Sequence, residues 1–100
     1  MPLTIVAIIE SMPGHELEVE TALLNLVQPT LAETGCLQYD LHRDHQNPDV
    51  FLFFENWVTR SDWEVHMESD HLAIMKQATA GKTRSTVIHQ MEKVNPAGDR

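Results

Sequence analysis

Val50-Phe51-Leu52-Phe53-Phe54-Glu55-Asn56-Trp57 carries apolar side chains on both faces of an extended chain, with Phe51 and Phe53 opposite Val50, Leu52 and Phe54. A run of this kind is a central strand covered on both sides, not a strand with one wet face. Gln46-Asn47-Pro48-Asp49 closes a turn just before it. Upstream, Cys36 to His45 alternates, with Leu37, Tyr39 and Leu41 against Gln38, Asp40 and His42, and predicts the preceding strand. Leu3 to Glu10 (LTIVAIIE) is rich in β-branched residues, is again apolar on both faces, and gives way to a turn at Met12-Pro13-Gly14. Thr83 to Val94 (TRSTVIHQMEKV) reads as the last strand.

Helices fill the gaps. From His15 to Glu33 the set Leu17, Leu24, Val27 and Leu31, widened by Leu23 and Leu26, recurs at helical spacing opposite Glu16, Glu20 and Asn25. Pro29 is expected to kink its last turn and Thr34-Gly35 to end it. After a plausible cap at Ser61-Asp62, Trp63, Met67 and Ile74 share a stripe with His66 one position round, Glu68-Ser69-Asp70 can split the helix, and Gly81 ends it.

The order βαββαβ suits a ferredoxin-like α+β domain, two helices on one face of a four-stranded antiparallel sheet. Its domain is expected over residues 1–94, with a polar tail over 95–100. A solvated second face would be polar at every other position, yet the first and third strands are apolar on both sides. Sheet-to-sheet packing of a second copy, a homodimer, covers that face most simply. The alternative is cover by the tail and loops.

Fifteen acids against seven bases give a formal charge of −8 over 100 residues, which argues against nucleic acid, whose binding needs Lys and Arg on phosphates. No stretch reads as a secretory leader or a membrane span, so a cytoplasmic location with no membrane partner is expected. Cys36 has no second thiol for a disulfide or zinc site and reads as a small buried hydrophobe.

Functional side chains concentrate in Phe54-Glu55-Asn56-Trp57 and in Trp63, His66, Ser69, Asp70 and His71. Trp63 and His66, three apart on a helix, project together and offer a flat aromatic ligand its partners. The plainer alternative packs both tryptophans in the core and leaves each histidine bonded to nearby backbone. His66 and His71 lie about 140° apart around a regular helix, unlike an i, i+4 zinc pair, and no spacing fixes Glu55, Asp62 or Asp70 as further ligands. No metal is therefore assigned. His15, His42, His45 and His89 sit among polar positions and read as solvated, with the sheet interior an alternative for His42 and His89. Phosphate loops, dinucleotide fingerprints and serine elbows are absent.

Gly35-Cys36-Leu37-Gln38-Tyr39, the turn at Asn47-Pro48, and Phe54-Glu55-Asn56-Trp57 through His66, Ser69, Asp70 and His71 resemble the antibiotic biosynthesis monooxygenase domain family over nearly the whole chain. The resemblance implies a dimeric α+β barrel, with a pocket between each sheet and its helices. It also implies cofactor-independent oxygenation of a quinol or polycyclic phenol by O2. His66 and His71 then stand as the catalytic histidines, one of them deprotonating the substrate, and Phe53, Trp57, Trp63 and Met67 as the substrate-binding set. Phe53 departs from the asparagine of polyketide-oxidising members, and a first strand with only Thr4 polar departs from the haem-degrading branch. A non-catalytic dimeric module that binds a small ligand or regulates is the competing expectation. A metal-dependent enzyme using His71 is a third.

Overall fold

The computed structural model describes residues 2–95, and of the expected tail all but Asn95 lies outside them. Four strands, β1 (Leu3–Ser11), β2 (Cys36–Arg43), β3 (Val50–Trp57) and β4 (Thr83–Met91), form an antiparallel sheet in the order β2-β3-β1-β4. Four helical segments, α1 (Glu16–Leu24), α2 (Val27–Leu31), α3 (Arg60–Met67) and α4 (Asp70–Ala78), complete the ferredoxin-like α+β arrangement. The two strands apolar on both faces, β1 and β3, are the central pair, in register from Leu3 opposite Trp57 to Glu10 opposite Val50.

One face of the sheet sends Ile5, Ile9, Tyr39, Phe51, Phe53 and Trp57 into the core, where Val19, Leu23 and Leu26 meet them from α1 and the bend after it. Trp63 and Leu72 close that core from α3 and α4. On the other face, Val6 stands opposite Phe54 and His89, and Ile8 opposite Leu52 and Val87. No described segment covers this face, and Phe54, Val87 and Met91 are exposed. His42 and His89 lie there too, not in the interior.

The last strand ends at Met91, short of the expected Val94, and the second at Arg43, short of His45; at four further places the chain departs from sequence expectation for a local cause. The first helix breaks after Leu24, a turn earlier than expected, because the Pro29 ring collides with the carbonyl four residues back, that of Asn25. Its buried row is Val19, Leu23, Leu26 and Thr30, while Leu17, Leu24 and Leu31 face outward. Leu37 falls in a register shift between Cys36 and Gln38 and points away from the core, 57% exposed, so of the three expected residues Tyr39 and Leu41 alone face inward. The second helical region is capped by Thr59, whose hydroxyl accepts from the Asp62 N–H at 3.1 Å, not by Ser61-Asp62. It does break before Asp70, with Ser69 capping α4, and the break resets the helical phase so that Leu72 and Met75 turn inward and Ile74 outward. No helix among the described residues is long and apolar enough to cross a membrane.

Candidate functional site

The helices do not close completely over the sheet. A cavity of about 380 Å³ remains between them, walled by Ile5, Ala7 and Phe53 from the sheet and by Trp63, Met67 and Leu72 from the helices. It extends to Ile88 on β4, a strand exposed along almost its whole length. Four ionisable side chains reach its wall: Tyr39, Glu55, His66 and Lys76. The first three are buried and Lys76 is exposed.

His66 sits on the inward side of α3, its ring 5.0 Å from that of Trp57 and edge-on to Tyr39 at 5.5 Å. Its Nδ1 lies 2.7 Å from Oε2 of Glu33, in the turn between α2 and β2. Burial pushes the His66 pKa down, the Glu33 carboxylate opposes that shift, and His71 adds to it. The ring is thereby held neutral near neutral pH, the state in which it can accept a proton.

Glu55 is the residue the sequence reading passed over as part of the cavity wall. Its side chain shares the inward parity of Phe51, Phe53 and Trp57, an acid placed at a core position, and that parity was the available signal. Its Oε1 accepts from Trp57 Nε1 at 3.0 Å. Burial pushes its carboxyl up to about 7, with the charge of Glu33 adding and the tryptophan hydrogen bond opposing. Tyr39 stacks on Phe53 with centroids 4.5 Å apart, and burial holds its phenol un-ionised far above neutral pH.

Of the residues expected at a site, Phe53, Trp63, His66 and Met67 come together on the cavity wall. Trp57 is fully buried and does not line it; it donates to Glu55 and lies against the His66 ring instead. His71 does not line it either. It sits at the start of α4 in an open surface cleft with Glu33, Glu64, Glu68 and Asp70, and its Nε2 lies 2.7 Å from the same Glu33 oxygen. Cys36 is half-buried at the start of β2, with its thiol pushed up by burial.

Glu33, His66 and His71 are the one group found among the described residues with three ligand atoms near enough to hold a metal ion, all within 4.8 Å of one another. The break at Ser69 brings the two histidines together, their ring centroids 6.0 Å apart. Both nitrogens approach a single Glu33 oxygen at 2.7 Å, within hydrogen-bonding distance.

The sequence pattern of the family "Antibiotic biosynthesis monooxygenase" matches residues 2–78. A crystal structure of a protein from Pseudomonas aeruginosa is similar over 94% of this chain and 95% of that one, at 34% identity and a TM-score of 0.90. A crystal structure of an antibiotic biosynthesis monooxygenase aligns over 93% of this chain and 99% of its own, at 26% identity and a TM-score of 0.86. An uncharacterised protein from Synechocystis is 26% identical over 70 residues, 70% of this chain and 48% of that protein, so the chain spans about half the length of this curated relative.

Proposed function

Because this chain belongs to the antibiotic biosynthesis monooxygenase family, we propose that it oxygenates a small electron-rich aromatic substrate, a quinol or polycyclic phenol, with O2 and no bound cofactor. The observation that carries this reading is a buried histidine, its pKa pushed down by burial, on the wall of an otherwise largely apolar cavity of about 380 Å³. A cavity of that size is within the range of small-ligand sites and suits one flat ring system. His66 removes the phenolic proton, and the electron-rich anion passes an electron to O2. Recombination puts one oxygen atom on the ring, the other leaves as water, and the substrate supplies all the electrons. Phe53 and Trp63 flank the ring, Met67 fills around it, and the carboxyl of Glu55, near its midpoint at neutral pH, offers the substrate oxygen a hydrogen-bond donor or acceptor.

The same reading takes the protein as a homodimer whose uncovered sheet face meets a second copy, and places the chemistry on the opposite, helix side. Oxygen uptake measured against a panel of hydroquinones and polycyclic phenols tests the reaction. His66→Ala is expected to lower the rate on the best substrate by about 10²-fold or more while the assembly keeps its mass. Uptake unchanged in that variant removes His66 from the reaction. Saturable binding by the wild type without uptake favours a ligand-binding module.

A further inference from the structure

Glu33 does not touch the cavity, and it belongs to neither strand nor helix, yet it is the point at which the buried histidine meets the surface. The Glu33 side chain is 13% exposed, that of His66 3% and that of His71 24%, so the three step outward from the cavity wall to the cleft. A carboxylate has no proton to donate, so a ring nitrogen 2.7 Å from its oxygen carries the N–H. For His66 that nitrogen is Nδ1, which leaves Nε2 as the ring's lone-pair acceptor. The second bond, from His71 Nε2 to the same Oε2, holds the carboxylate against His66 and keeps it from swinging out among Glu64, Glu68 and Asp70. Gly35 makes the turn possible: at φ +81° it takes the left-handed backbone, and a Cβ there would collide with the Asp62 side chain of α3.

We propose that Glu33 is the positioning residue of His66, fixing the tautomer whose Nε2 accepts the substrate proton and stabilising the imidazolium that forms, and that His71 anchors Glu33 and is not a second base. The proposal rests on His66 as the base of the reaction above. In the step, the substrate O–H bond breaks and its proton joins Nε2, Nδ1–H stays on the ring facing the carboxylate, and the positive charge is balanced by Glu33. The titratable groups against the ring are Glu33 from the turn, His71 from α4 and Tyr39 from β2, and Glu55 from β3 and Lys76 from α4 share the cavity wall with it. Glu33 alone brings an opposite charge within hydrogen-bonding distance of it.

Nitrogen-detected NMR of the histidine rings in the full chain, without substrate, reads the tautomer and the titration of His66 directly. The expected wild-type signal is the Nδ1–H tautomer. Glu33→Gln is expected to lower the His66 titration midpoint by about one pH unit or more through loss of the neighbouring charge. Glu33→Ala removes the tautomer preference, and Glu33→Asp restores part of both effects. On a substrate found by oxygen uptake, Glu33→Gln lowers kcat more than it alters KM and moves the acid limb of the pH profile with the NMR midpoint. An Nε2–H tautomer in the wild type, or a midpoint indifferent to Glu33→Gln, overturns the proposal. So does a divalent cation held by the purified protein and released by Glu33→Ala, because the oxygen would then be bound to the ion. Absence of oxygen uptake in the wild type refutes the proposed reaction, while the NMR arms still decide what Glu33 does to His66.

Discussion

Glu55 shows how one atom's surroundings set a property that sequence alone could not display. Its inward parity was legible, but its titration depends on its burial, on Trp57 standing two residues on and on the charge of Glu33. The consequence for stability has a definite sign. The folded carboxyl titrates at about 7 against an ordinary 4.5, so between those values the native state holds a proton that the unfolded chain has released. The stability from this group is fully present below about 4.5 and is lost as pH rises through about 7, amounting to roughly 3 kcal/mol at most. Glu55→Gln keeps an oxygen for the Trp57 N–H and cannot ionise. It is expected to match the wild type near pH 4.5 in urea unfolding and to exceed it by about 1–3 kcal/mol at pH 8. Equal curves at both pH values would mean that Glu55 is not held apart from water. Glu33, by contrast, offered no signal in one dimension: an acid before Thr34-Gly35 looks like any turn acid, and only the fold carries it to histidines 33 and 38 positions away.

At the scale of elements, strands were read more securely than helix faces. Period two leaves only two choices of face, and in β1 and β3 both are apolar, so their central place in the sheet followed from composition alone. Leu37 escaped because a bulge breaks the parity that the reading relied on. In α1 and α2, leucines at 17, 24 and 31 recur every seven residues as convincingly as the row that is buried. The bend forced upstream of Pro29 chose between them. The break ahead of α4 matters most for the site, since it turns an i, i+5 histidine pair into neighbours across one carboxylate. Ser69 holds that break by accepting from the Leu72 N–H at 3.3 Å. Ser69→Ala is therefore expected to cost about 1 kcal/mol, which in a domain of this size lowers Tm by roughly 4–8 °C. Ser61→Ala, inside the first turn of α3, changes stability by less than about 0.5 kcal/mol. Thermal melts followed by circular dichroism separate the two, and equal losses would refute Ser69 as the cap.

For the whole molecule the open question is what covers the second sheet face. Its centre is apolar, with Val6, Ile8, Leu52, Phe54 and Val87, and its flank is a hydrogen-bonded polar row in which Thr4 donates to Asn56, Asn56 to Gln38 and Gln38 to Asp40. An apolar middle edged by satisfied polar groups is the anatomy of a protein interface and not of a wet sheet. In the proposed homodimer a twofold axis sets each apolar centre on its equal. Charge works against it: each chain carries a formal −8, and two such chains repel until salt screens them, over about 10 Å at 0.1 M. The wild type is thus expected to sediment at twice the chain mass, with a dissociation constant that tightens as salt is raised from about 0.02 to 0.2 M. Val6→Lys, which places a cation opposite Phe54 at the centre of the face, should give single chains that keep the wild-type circular dichroism spectrum and the cavity on the far side of the sheet. Sedimentation equilibrium decides the matter: a wild type of single-chain mass at all salt concentrations would leave the apolar face to some other cover, and a Val6→Lys chain that stays double would put the contact elsewhere on the surface.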